Sequence, residues 1–230
     1  MTIISSYSPV LNLQFLLELG GQDPGPLDGV VGPRTVAALT AFQVARDLPP
    51  CKPDQALSDN RTRPALLGVA RAPGAKAILE GMKYLGVHED PPGTNQTLFG
   101  TWFGVNGVPW CNIFVSYCFV EGSGLEICAG YHGSGTKAGK GCAYVPTTEN
   151  WLLARRLSVN PNSIQPGDIV IYAWDRKSPT HIGMCCTRPD PTKTFQSLEG
   201  NTSLASDSNG GEVLLRPRNL SFVTAAGRLT

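Results

Sequence analysis

Apolar residues recur with a helical period in the first third of the chain. Apolar positions between residues 10 and 17 fall on one face, directly after Ser8, a candidate N-cap, and Pro9. A second helix is predicted from Pro33 through "PRTVAALTAFQVARDL", and a third, shorter one within "DNRTRPALLGV". Three short helices around a small core are therefore expected over residues 8–70.

The pattern changes beyond residue 76. Helices are predicted for "AKAILEGMKYLG" and from Cys111 to Phe119. After the turn residues Pro166 and Gly167, five short apolar segments predict strands: "DIVIYAW", "HIGMCCTR", "TFQSLEG", "EVLLRPR" and "FVTAAGRL". Helices followed by an antiparallel sheet indicate an α+β fold. With "RAPGAK" as a linker at 71–76, we expect domains at 1–70 and 77–230.

Composition and charge limit the classes of partner. The 230 residues are 41% hydrophobic and carry a formal net charge of +1. Because the chain has no basic run and no long apolar stretch, we expect neither nucleic acid nor membrane as a partner. The segment "MTIISSYSPVLNLQFLLELGG" has no cationic start, so a secretory signal peptide is not expected.

The seven cysteines do not follow a metal-binding pattern. No Cys-x-x-Cys pair or zinc-ligand spacing is present, so we expect no metal and no cofactor. Cys128 and Cys142 flank a glycine-rich loop and can pair in an oxidising compartment. Without export, free thiols are the favoured interpretation for both.

Cys111 has the sequence position of a reactive thiol. It follows Pro-Trp at the predicted start of a helix, where unpaired backbone amides and the helix dipole stabilise a thiolate. Cys118, two turns later, fits the core. Cys185 is a rival nucleophile, but a thiol in mid-strand has no helix amides behind it. Cys111 is therefore the predicted nucleophile.

A base and an orienting group are found in the predicted strands. His181 begins one strand, whereas the other two histidines lie in polar or glycine-rich loops. Glu199 and Asn201, two residues apart in the next strand, are expected on one face, within reach of the imidazole. Nucleophile, base and orienting group in this order predict a cysteine hydrolase.

The N-terminal segment resembles a known family. "LQFLLELGGQDPGPLDGVVGPRTVAALTAFQVARDL" is similar to the three-helix peptidoglycan-binding domains found on cell-wall hydrolases. The resemblance implies that this small all-α domain binds the bacterial wall. Asp28 and Gly29, in the "LDGVVGPRT" loop, are the wall-binding residues that it suggests.

The remainder resembles a second family. "PWCNIFVSYC…PGDIVIY…HIGM…LEGNTS" is similar to the CHAP family of papain-like cysteine amidohydrolases and peptidases, over roughly residues 81–228. The resemblance implies a papain-like fold with Cys111 as nucleophile, His181 as base, Glu199 as orienting acid and Asn201 as a supporting polar group. Some members bind calcium, but the loop before Cys111 lacks Asp and Glu, so no calcium is expected.

Several further residues are candidates for contacting the substrate. The aromatic candidates to line the cleft, each with core packing as the alternative, are Trp102, Phe103, Trp110 and Trp174. Asn106, in the loop before the nucleophile, is a candidate for stabilising the oxyanion beside the Cys111 amide.

Together, the two resemblances imply a monomeric peptidoglycan hydrolase that cleaves an amide bond. The bond is either the N-acetylmuramoyl-L-alanine amide or a peptide bond of the stem or cross-bridge. We expect an endolysin-like protein that accumulates in the host bacterial cytoplasm; virion-associated and secreted lysins are alternatives. Two other hypotheses are an inactive wall-binding or virion structural protein, and a glycosidase using Glu89 and Asp90.

Overall fold

The computed structural model describes residues 6–203, 205 and 210–230, so residues 1–5 of the expected N-terminal domain lie outside it. The helices are α1 Pro9–Leu19, α2 Pro33–Val44, α3 Thr62–Leu67, α4 Pro73–Met82, α5 Leu98–Phe103, α6 Cys111–Ser123 and α7 Val145–Ala154. The strands are β1 Thr136–Lys137, β2 Gly141–Cys142, β3 Ser158–Val159, β4 Ile169–Tyr172, β5 His181–Cys185, β6 Thr194–Thr202, β7 Glu212–Asn219 and β8 Val223–Gly227. None of these helices is both long and apolar enough to cross a membrane.

The larger sheet is antiparallel throughout. Its strands lie in the order β3-β8-β4-β5-β6-β7, and β1 pairs with β2 in a separate two-stranded ribbon. The five strands predicted from apolar segments all form, as β4 to β8. The protein is therefore α+β, as the sequence indicates.

Alternation along the strands divides the apolar residues between the two faces of the sheet. Ile169 and Ile171 of β4 join the main core with α4 and α6. The alternate residues of the same strand, Val170 and Tyr172, belong to a second cluster on the opposite face. The main core holds α6 against the sheet, which fixes the position of the helix start relative to β5 and β6.

The N-terminal helices surround a core of their own. Ser8 caps α1 as predicted, because its hydroxyl accepts a hydrogen bond from the Leu11 amide. Leu13, Leu39 and Phe42 are buried between the helices. Other apolar side chains of this segment, among them Phe15, pack into the main core instead.

The predicted linker differs from the structure. Pro73 occupies the first turn of α4, so residues 73–76 are helical, and Gly74 is buried. A side chain at Gly74 would collide with the backbone carbonyl of Gly167, so only glycine permits this approach. Proline in the first turn begins this helix, so residues 73–76 do not form the expected linker.

Candidate active site

Cys111 is the first residue of α6. The preceding residue, Trp110, is the N-cap, and no side chain among the described residues caps this helix end. The first-turn amides and the positive end of the helix dipole are therefore available beside the sulfur, an arrangement that stabilises negative charge. Asn112 anchors this turn, because its buried amide donates a hydrogen bond to the Thr148 hydroxyl of α7 at 2.8 Å.

The imidazole of His181 lies at the start of β5 and is fully buried. Its Nε2 is 3.0 Å from Oε2 of Glu199, on the adjacent strand β6. Burial alone would lower the pKa of His181, whereas the Glu199 carboxylate and the neighbouring Cys111 sulfur raise it to about 9. Because Nε2 contacts Glu199, Nδ1 is the ring nitrogen left for the thiol, and it has no other hydrogen-bond partner among the residues that the structure describes.

Arg218 on β7 is a member of the site that the sequence did not reveal. Its Nε donates to Oε1 of Glu199 at 2.8 Å and its Nη2 donates to Oε2 at 2.6 Å, which makes a bidentate ion pair. Burial alone would raise the pKa of Glu199, but this arginine lowers it to about 2. Glu199 is therefore ionised whenever the imidazole needs an anionic partner.

Two aromatic rings cover this buried chain of charges. Tyr172, the cross-strand neighbour of His181, stacks on Trp174 with ring centroids 5.3 Å apart. The Arg218 guanidinium lies 4.7 Å from the centroid of the Trp174 ring. Trp174 thus shields the ion pair from water and does not line the cleft described next.

A cleft of about 1010 Å³ opens at the nucleophile. It is bounded by the segments that precede α6, that form β1, that enter α7 and that precede His181. The lining residues are Phe103, Val105, Val108, Pro109, Cys111, Ser134, Gly135, Thr136, Lys137, Ala143, Tyr144, Val145, Pro146, Lys177, Ser178, Pro179 and Thr180. The volume suits an extended peptide or a ligand of similar size.

The two asparagines predicted for the site hold loops in place. Asn201 lies within the register shift of β6, between Glu199 and Thr202, and has a positive φ of 55°. Its Oδ1 accepts a hydrogen bond from the Gly211 amide, so the simple alternation that would place it beside Glu199 is broken. Asn106 Oδ1 accepts a hydrogen bond from the Thr97 backbone amide, and Asn106 Nδ2 donates to the Thr101 hydroxyl. The side chain therefore holds the first turn of α5 and does not donate to an oxyanion at Cys111.

Trp102 and Trp110 do not line the cleft. Trp110 is fully buried, where it stacks on Phe99 and donates its indole N–H to Glu89 at 3.0 Å. Trp102 packs on Tyr117 away from the cleft. Glu89 is buried and one of its oxygens is occupied by the Trp110 indole, and the glycosidase hypothesis stays a prediction.

Asp28 and Gly29 form a turn that an internal residue holds closed. The buried amide of Gln14 donates to Asp28 Oδ1 at 2.8 Å, and its oxygen accepts from the Gly29 amide at 2.9 Å. Gly29 has φ 73°, which favours glycine. These contacts explain the residue types structurally, and the wall-binding role of the turn stays a prediction.

All seven cysteines are free thiols. Burial raises the pKa of Cys118 and of Cys185 well above its ordinary value, which makes both thiols poor nucleophiles. Cys128 and Cys142 lie close enough to influence each other, and their interaction lowers the pKa of Cys142 and raises that of Cys128. Cys111 is thus the cysteine that combines a helix start, a cleft and an imidazole.

The described residues contain no group of three or more His, Cys, Asp or Glu side chains that could hold a metal ion. Comparison of the chain with protein-family models, with curated proteins and with solved structures found no match. The geometry of the site and the sequence motifs are thus the grounds for a functional proposal.

Proposed function

We propose that the protein is a cysteine-dependent amide hydrolase. The observation that carries this proposal is the position of Cys111 at an uncapped helix start in a cleft, with His181 beside it and Glu199 behind the imidazole. A thiol, a base and an orienting carboxylate are the minimum set for acyl transfer through a thioester.

The particular substrate that we propose is bacterial peptidoglycan. This step rests on the sequence resemblance of residues 81–228 to CHAP hydrolases and of the N-terminal segment to peptidoglycan-binding domains. An α+β fold with a helix-borne cysteine facing a strand-borne histidine is compatible with a papain-like CHAP fold. The helices α1 to α3 would then hold the enzyme at the wall, in an endolysin-like protein.

The proposed mechanism uses these contacts. Cys111 transfers its proton to Nδ1 of His181, and the thiolate attacks the carbonyl carbon of a wall amide. The Cys111 amide at the start of α6 donates to the oxyanion. The imidazolium, held by Glu199, then protonates the leaving amine and a thioester remains. His181 next removes a proton from water, which attacks the thioester and releases the carboxylate product and the thiol.

Replacement of the nucleophile tests this function on purified walls. We expect the wild-type chain to lower wall turbidity and to release new amino termini, and Cys111→Ala to lose at least about 10³-fold of that rate. Cys118→Ala is the matched control, since it removes a buried thiol from the same helix. Mass spectrometry of the new termini identifies the bond.

Each other outcome has a definite meaning. Equal clearing by wild type and Cys111→Ala would show that Cys111 is not the nucleophile. Reducing sugars in place of amino termini would indicate a glycosidase. Binding to walls by all three chains without clearing would support the inactive wall-binding alternative.

A further inference from the structure

The cleft beside Cys111 carries charge of a single sign. Lys137 and Lys177 lie among its lining residues on two different segments, and no Asp or Glu is found among the described residues that line it. Asp175 lies close to Lys177 in sequence but does not line the cleft, and its Oδ1 accepts hydrogen bonds from the backbone amides of Lys177 and Ser178 at 2.8 Å.

Of these two lysines, Lys137 has an ammonium group that donates a hydrogen bond to the protein. Its Nζ donates a hydrogen bond to the Phe103 carbonyl at the end of α5, at 2.6 Å. Gly104 has φ 84° and caps this helix, and a side chain there would collide with the ammonium group. The ammonium group is therefore held beside the C-terminus of α5, and this bond uses one of its three N–H donors.

We propose that the cleft selects peptides that carry a free carboxylate, and that Lys137 is the residue that recognises it. This inference rests on the proposed function, because stem peptides of the wall are substrates that offer such carboxylates. An ammonium group at the rim of a cleft whose described lining residues include no acid attracts an anion more strongly than a neutral amide in the same place. Amidated stems would therefore be poorer substrates.

The alternative role for Lys137 is structural, since a cation near a helix C-terminus is favourable by itself. Such a role would change stability and would treat all peptides alike. Discrimination between two isosteric peptides separates the roles, because only direct recognition depends on the charge of the ligand.

The test measures binding without catalysis. The full chain with Cys111→Ala is titrated calorimetrically with two N-acetylated tetrapeptides that contain a γ-linked D-glutamate. Its α-carboxylate is free in one peptide and a primary amide in the other, and both have amidated C-termini. We expect the amidated peptide to bind about fivefold more weakly or worse.

Two further variants in the Cys111→Ala background assign the effect. Lys137→Met is expected to bind both peptides with nearly equal, weaker affinity, whereas Lys137→Arg keeps part of the preference. Lys140→Met is the matched control, since its ammonium lies 4.1 Å from the Trp102 ring centroid and outside the lining of the cleft. It should retain the full preference.

Equal binding of the two peptides to Cys111→Ala, or no binding of either, would overturn the inference. An unchanged preference in Lys137→Met would also overturn it. These results are separable from failure of the proposed function, which wall clearing by the wild-type chain decides. A chain that clears walls but binds both peptides equally would keep the function and lose the recognition by Lys137.

Discussion

At the scale of residues, the site is a row of interacting groups that begins at the surface of the cleft and ends in the interior. Cys111 faces the cleft, His181 lies behind it, and Glu199 and Arg218 follow, all three buried. Burial by itself would penalise every charge in this row. The bidentate arginine offsets that penalty for Glu199, and Glu199 offsets it for the imidazolium.

The pH dependence of catalysis tests this coupling. With the pKa of His181 raised to about 9, we expect kcat/KM of the wild type to fall as the pH rises through about 9, because the leaving amine needs the imidazolium proton. Glu199→Gln removes the charge that raises this pKa. Its alkaline limb should therefore move to lower pH, with a loss of about 100-fold at neutral pH.

The control for this profile is Glu121→Gln, which changes a glutamate that accepts the Trp102 indole N–H outside the site. It should keep the wild-type limb. An unchanged limb in Glu199→Gln would show that this carboxylate does not set the protonation of His181.

At the scale of elements, strand pairing brings the site together. Gly183 lies two residues after His181 on β5, and an added Cβ there would come within 2.7 Å of Glu199 Cγ. The absence of a side chain at Gly183 is what allows the Glu199 side chain to pass across β5 and reach the imidazole. Contact with the neighbouring strand β6 therefore explains why glycine occupies position 183 of "HIGM".

Gly183→Ala should push Glu199 away from His181, and it should also displace the Ser197 hydroxyl, which would lie 2.5 Å from the added Cβ. We expect a fall in kcat/KM of about tenfold or more, together with a moderate loss of stability from overpacking. Gly32→Ala is the control, because nothing lies within 4 Å of its added Cβ. Activity and thermal unfolding should be measured on both, and wild-type activity in Gly183→Ala would contradict this packing argument.

The sequence was informative where local pattern decides structure. The strands β4 to β8 and the start of α6 were predictable from apolar runs and from the Pro-Trp-Cys context. The helices α5 and α7 were not predicted, because both are short and their burial depends on distant partners. Cys111, His181 and Glu199 could be selected by type and position.

Arg218 could not be predicted from the sequence, because its contact with Glu199 depends on the register between β6 and β7. That register is a property of the assembled sheet. The partner of Trp110 could not be predicted either, because its indole donates a hydrogen bond to Glu89, which lies 21 positions away in the sequence. Simple alternation predicts Asn201 on the same face of β6 as Glu199, but the register shift in this strand interrupts the alternation.

At the scale of the whole molecule, the N-terminal helices are packed against the remainder and are not loosely tethered to it. Leu11, Phe15 and Leu27 are buried in the core that also contains α6. The buried amide of Gln196 on β6 both donates to the Leu27 carbonyl and accepts from the Leu27 amide, each at 2.8 Å. Separation of the two parts would expose apolar surface and leave these groups unsatisfied.

We therefore expect the chain to unfold in one cooperative calorimetric transition, with calorimetric and van't Hoff enthalpies that agree. Gln196→Ala should lower the free energy of unfolding by about 1–3 kcal/mol, because it leaves the buried Leu27 amide and carbonyl without partners. Two separate transitions in the wild type would show that the halves fold independently.

The measurement that tests the central claim most directly is the identification of the covalent intermediate. The wild-type chain is mixed with a soluble wall peptide, quenched in acid within the first turnover and mapped by mass spectrometry. The account predicts an acyl group on the peptide that contains Cys111. Continued hydrolysis with no acyl group on any cysteine, or with the acyl group on another thiol such as Cys185, would contradict it.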